Sequence, residues 1–214
     1  MPHHPWLTAA FDRLDVPDET RALITLHHSE AHRYYHTLRH IDLMLRHIPT
    51  SHAFAREMMA ATLFHDIIYD PTRFDNEEMS LAMFQSAADA FAPPELLDRL
   101  LVSAMILATK NHHFRDEGTQ KDEAINLLLK ADLSILWHPD PEVYAWYAAG
   151  VRKEYGFVPE AQFREARATI LTGLRDDLLR SEHLTSAEGK ILTRNVAWEL
   201  RSLGLGASFD APSL

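Results

Sequence analysis

Alternation of β-branched and polar residues at a period of two, the mark of a half-buried strand, is nearly absent from this chain. Apolar residues recur instead at three and four positions, in windows rich in Ala, Leu, Met, Glu and Arg. Pro and Asp punctuate those windows where helices start: Pro17-Asp18, Pro49-Thr50-Ser51, Pro93-Pro94, Pro139-Asp140-Pro141 and Pro159-Glu160. The pattern predicts an all-α protein of roughly eight to ten helices. They are expected near 6–14, 17–32, 37–48, 51–69, 75–91, 94–112, 121–136, 140–154, 159–180 and 185–202. No linker divides the windows, so a single helical domain over 1–214 is expected, with a frayed tail at 204–214.

The composition excludes several classes. With 21 Lys and Arg against 31 Asp and Glu, the net charge is −10, which disfavours a nucleic-acid backbone as partner. The chain has no Cys, so it can form no disulfide and no thiolate-held metal centre. No apolar run reaches the roughly 18 residues of a membrane span, and Met1 to Trp6 lacks a signal-peptide pattern. A cytoplasmic protein is expected. Fourteen His point first to metal chemistry, since imidazole is the commonest metal ligand.

Four places break the apolar pattern. Met58 to Tyr69 reads MMAATLFHDIIY, apolar nearly all round, with His65 and Asp66 in its middle. An ionised Asp there is costly unless paired or bound to a metal. Neighbouring helical residues point about 100° apart, so both converge on one ion only if it sits beside that edge of the helix. In Tyr34 to Leu45, His40 shares a face with Leu43 and Met44, and His36 lies one turn earlier. In Ile125 to Trp137, Asp132 has only Leu128 and Leu136 at i±4. In Ile106 to His113, His112 continues the stripe Leu101, Met105, Ala108. Taken singly, each is a core polar group with an ordinary partner. Taken together, two His and two Asp form a nitrogen and oxygen set for a divalent transition metal, donated by separate helices.

The order His40, His65-Asp66, Asp132 resembles the H…HD…D signature of the HD superfamily of metal-dependent phosphohydrolases. YHTLRHI at 35–41, FHDIIYD at 64–70, DNEEMS at 75–80, ATKNH at 108–112 and KADLSIL at 130–136 resemble, in order, a bacterial group of predicted members. The resemblance covers a core of about 30–150 and leaves a helical extension at about 151–203. It implies His40, His65, Asp66 and Asp132 as ligands of one divalent ion: Mn, Fe, Co or Ni, with Mg or Zn also admitted. It implies a small phosphorylated substrate, a nucleotide by family analogy, and leaves room for a homodimer. Helical hydrolases of alarmone nucleotides carry two acids on the turn after HD; here those positions are Tyr69 and Asp70.

On a helix, Asp70 shares the face of Asp66 one turn on, which makes it the first candidate to orient or deprotonate water. Glu77, with Glu78, stands in the next helix's first turn, as a dipole partner or a second base. Lys110, Arg39 and Arg73 could take phosphate oxygens, or serve as solvated charges. His36 could protonate a leaving oxygen or support a ligand. His112 is read as a substrate contact or as a ligand of an optional second ion. Two alternatives remain: a di-iron HD-type oxygenase, and a non-catalytic metal- or nucleotide-binding module. His27, His28 and His32 read as an exposed polar face. Trp137, Tyr144, Trp146, Tyr147 and Tyr155 read as core packing.

Overall fold

The computed structural model describes residues 4–90, 97–116 and 118–205. Among these residues there are ten α-helices and no strand. The helices are α1 (Pro5–Arg13), α2 (Asp18–His27), α3 (Leu38–Leu45), α4 (Ala55–Phe64), α5 (Asn76–Ala87), α6 (Arg99–Ala108), α7 (Gln120–Leu133), α8 (Pro141–Glu154), α9 (Glu160–Arg180) and α10 (Ser186–Ser202). Each expected helix is present. The expected starts at Pro93-Pro94 and the tail beyond Leu205 lie outside the described residues. Pro17-Asp18, Pro141 and Pro159-Glu160 do open helices, whereas Pro49-Thr50-Ser51 opens turns and α4 begins at Ala55.

The chain divides into two compact units, Met1–Asp132 and Leu133–Leu214. The division falls at Asp132, the last of the expected ligands.

In the first unit α4 is the central helix. Of its ten residues, only Arg56 is not buried. Met58, Leu63 and Phe64 are fully enclosed, and burial of side chains of this size contributes roughly 1.5–3 kcal/mol each. α4 packs against α6, α3 and α5. Its polar residues are satisfied inside: Glu57 Oε1 accepts from the Asp98 amide at 2.9 Å, and Thr62 Oγ1 donates to the Met58 carbonyl at 2.8 Å. Helix α3 lies beside α1, whose first-turn amide at Leu7 has no partner within the helix and donates to Asp42 Oδ1 at 2.9 Å. This capping contact reaches across 35 residues of sequence and fixes where α3 presents His40.

In the second unit α10 packs on α9, α8 and the 3-10 turn Ser134–Trp137. A Thr185–Glu188 capping box starts α10. At its core Arg167 Nε donates to Glu199 Oε1 at 2.8 Å, and Tyr144 Oη donates to Glu199 Oε2 at 2.6 Å. The pair is buried, and the Arg167 guanidinium lies over the Tyr147 ring at 4.9 Å. Trp137, Tyr144 and Tyr147 are buried, as core packing requires.

Candidate metal centre

The first unit brings His40 from α3, His65 and Asp66 from the end of α4, and Asp132 from α7 to one point. His40 Nε2 lies 3.3 Å from His65 Nε2 and 3.3 Å from Asp132 Oδ1. His65 Nε2 lies 3.8 Å from Asp132 Oδ1. Asp66 Oδ2 lies 3.0 Å from His65 Nε2 and 3.7 Å from His40 Nε2. His40, His65 and Asp132 each place a donor atom within 4.8 Å of the others.

These separations test whether an ion fits. Donors about 2.1 Å from one ion at roughly 90–110° lie about 3.0–3.4 Å from each other, close to the spacings here. A second observation comes from His65 Nδ1, which donates to the Thr62 carbonyl at 3.0 Å. That bond fixes the ring and turns Nε2 toward the cluster, as a ligating imidazole requires. The donor set and its support therefore suit a divalent ion.

The electrostatics agree. Burial opposes charge on His65, but the Asp66 carboxylate and then Asp132 outweigh it and raise the imidazole to about 9. Burial also opposes charge on Asp66, yet the neighbouring histidines, His65 first, hold its carboxyl far below the usual range. Asp132 is lowered in the same way, with hydrogen bonds from His112 and His40 overcoming burial. His40, unlike His65, is lowered, because burial dominates there. Two carboxylates thus stay ionised in a largely enclosed place, and positive charge is what holds them so.

His65 and Asp66 sit at the end of α4, not within it. Helix α4 stops at Phe64, and His65 is its C-cap. The expectation that the helix runs on to residue 69 is corrected, and with it the placement of His65 and Asp66 in mid-helix. His65 itself keeps a helical backbone, φ −58° and ψ −37°, and Asp66 follows it in the turn. The same correction removes Asp70 from any helix face. Its Oδ1 accepts from the Thr72 amide at 2.8 Å and the Thr72 hydroxyl at 2.6 Å, an Asx turn, and these bonds lower its carboxyl. A carboxyl lowered by a turn is a weak base.

His112 also departs from the helix expected for it, because α6 ends at Ala108. Its backbone is left-handed, with φ 51°. That conformation costs a residue with a β-carbon roughly 1–2 kcal/mol. In return His112 Nε2 reaches Asp132 Oδ2 at 2.8 Å, so Asp132 does have a partner, 20 residues away. His36 lies just before α3, with Nε2 4.0 Å from Asp66 Oδ2. The Tyr69 ring stacks on His36 at 4.1 Å, and the buried Tyr35 ring lies 4.7 Å from His40.

The expected phosphate cations are engaged elsewhere. Lys110 Nζ donates to Glu78 Oε1 at 2.6 Å and the Phe74 carbonyl at 2.7 Å, with Glu77 at 3.9 Å. Arg73 holds both oxygens of Asp75, at 2.8 and 2.7 Å. Arg39 is exposed on α3. His28 is a further correction: it is buried, not part of an exposed face, and its Nδ1 donates to the Ile24 carbonyl at 3.0 Å.

Sequence reasoning missed Arg33. Its side chain is wholly enclosed, and its guanidinium meets the carbonyls of His36, Asp66 and Ile67. The available signal is Glu30 at i−3, which accepts from Arg33 Nε at 2.9 Å. No family model, curated protein or solved structure matches this chain.

Proposed function

We propose that the protein is a metal-dependent phosphohydrolase acting on a small phosphorylated compound, with a nucleotide as the first class to try. The observation that carries this reading is the convergence of His40, His65 and Asp132 donor atoms, with Asp66 beside them. A divalent ion bound there lowers the pKa of water and offsets charge on phosphoryl oxygens. His40 and His65 are buried, while His36, Asp66, His112 and Asp132 retain 20, 17, 25 and 12% side-chain exposure, so solvent reaches these four. In this reading His36, 4.0 Å from Asp66, gives a proton to the leaving oxygen. His112 keeps Asp132 turned toward His40 and His65. Lys110 and Arg73 reach a phosphate only by releasing their carboxylates, so His36 and His112 are the nearer donors to an anion.

One observation favours a second reading. His112 beside Asp132 and His36 beside Asp66 supply two further imidazoles, as a di-iron oxygenase needs. Elemental analysis of the wild type and a folded Asp66→Ala variant distinguishes the outcomes. About one equivalent of transition metal in the wild type and loss in the variant supports the hydrolase, to be followed by a nucleotide and phosphoester panel with Mn²⁺. Two equivalents of iron with a visible band favour the oxygenase. No metal after reconstitution overturns both.

A further inference from the structure

The turn that carries the HD pair has an unusual means of support. Once α4 ends, the carbonyls that follow have no partner within the helix and need donors from elsewhere. The segment 32–33 provides them. Arg33 Nη1 donates to the Asp66 carbonyl at 2.6 Å and to the His36 carbonyl at 3.1 Å. Arg33 Nη2 donates to the Ile67 carbonyl at 2.9 Å, and His32 Nε2 donates to the Tyr69 carbonyl at 2.7 Å. Glu30 fixes the guanidinium from its Nε side at 2.9 Å.

One nitrogen of Arg33 therefore ties the backbones of His36 and Asp66, whose side chains face each other at 4.0 Å. The neighbouring nitrogen ties the carbonyl of Ile67, in the turn just past Phe64. In this turn Asp66 Oδ2 lies 3.0 Å from His65 Nε2. We infer that Arg33 is a positioning residue whose planar guanidinium sets the direction of Asp66, and of His36, toward the metal cluster. It touches neither the ion nor the substrate. Lys cannot substitute, because a single ammonium nitrogen on a flexible stem cannot span carbonyls held by two nitrogens of one rigid plane.

The inference rests on the metal reading, and the test separates the two. Full-length wild type, Arg33→Met, Arg33→Lys and Glu30→Gln are titrated with Co²⁺. Leu14→Ala, a core variant far in sequence from the turn, serves as a destabilised control. Amide hydrogen exchange at His65, Ile67, Ile68 and Asp70 is measured in the metal-free proteins. The expected result is Co²⁺ binding weakened about tenfold or more in both Arg33 variants, with Leu14→Ala within about twofold of wild type. Exchange at the four amides rises in the Arg33 variants and not in the control. If the Arg33 variants do not fold, Glu30→Gln decides, with binding weakened about threefold and the same amides less protected. Folded Arg33 variants, or failing them Glu30→Gln, that bind like wild type overturn the inference. If wild type itself binds no Co²⁺, the metal reading fails. The exchange result then decides alone whether Arg33 positions the turn: raised exchange at these amides upholds that, and unchanged exchange overturns it.

Discussion

His112 Nε2 and Asp132 Oδ2 lie 2.8 Å apart, and this bond leaves Asp132 Oδ1 to face His40 and His65. Outer partners of a ligating carboxylate govern its aim, and their loss lowers metal affinity about 10–100-fold. His112→Asn should show that loss in a Co²⁺ titration. Asn tolerates the left-handed backbone at this position, so thermal stability should change little. Unchanged affinity would show that Asp132 needs no such partner.

Metal affinity should rise with pH. In the metal-free protein His65 is raised to about 9, so at neutral pH it carries a proton that an incoming ion must displace. Affinity should therefore climb up to tenfold per pH unit and level off as pH passes about 9. Calorimetry in buffers of different ionisation enthalpy should register one proton released near pH 7. A flat profile between pH 6 and 8 would contradict the assignment of His65 as a ligand.

His28 sets a different pH dependence. Burial, with Arg33 nearby, lowers its imidazole to about 3 against an ordinary 6.5. Between those values the unfolded chain binds a proton that the folded chain refuses, so stability falls as pH falls through that window. The loss amounts to about 2 kcal/mol at pH 5 relative to pH 7.5. Urea unfolding of wild type and His28→Leu should show the variant losing that much less over the same range.

Asp70→Ala should be nearly silent at the metal. Its carboxylate is committed to Thr72 in a turn, so Co²⁺ affinity is expected to stay within about twofold of wild type. A loss of tenfold or more would restore Asp70 to the site.

Glu199→Ala should be severe in the second unit. It strands the buried Arg167 guanidinium and removes the acceptor of Tyr144, a kind of loss that costs about 3–5 kcal/mol. Urea unfolding measures it, and exchange should rise first in α8, α9 and α10.

Helix content was legible because apolar spacing, caps and prolines agree along the chain. His40, His65 and Asp132 were legible as polar residues in apolar surroundings. The end of α4 was not: FHDIIYD has no Gly or Pro before Pro71, and the carbonyls past that end are met by Arg33, more than thirty residues upstream. A distant side chain that captures carbonyls leaves no local mark. Asp70 and His112 were misplaced for the same reason, since helical period was extended past the true ends of α4 and α6. His28 sits just past the end of α2, where the pattern for an exposed face no longer holds.

Helix α4 is surrounded by other side chains and also ends in the HD pair. The motif is therefore not portable. Copying His and Asp onto the end of a surface helix would reproduce the letters without the walls that aim them. Conversely, a methyl group added or removed around Met58 or Leu63 is felt by the close-packed helix that ends in His65 and Asp66, so the spacing of the cluster answers to an interior none of its members belongs to.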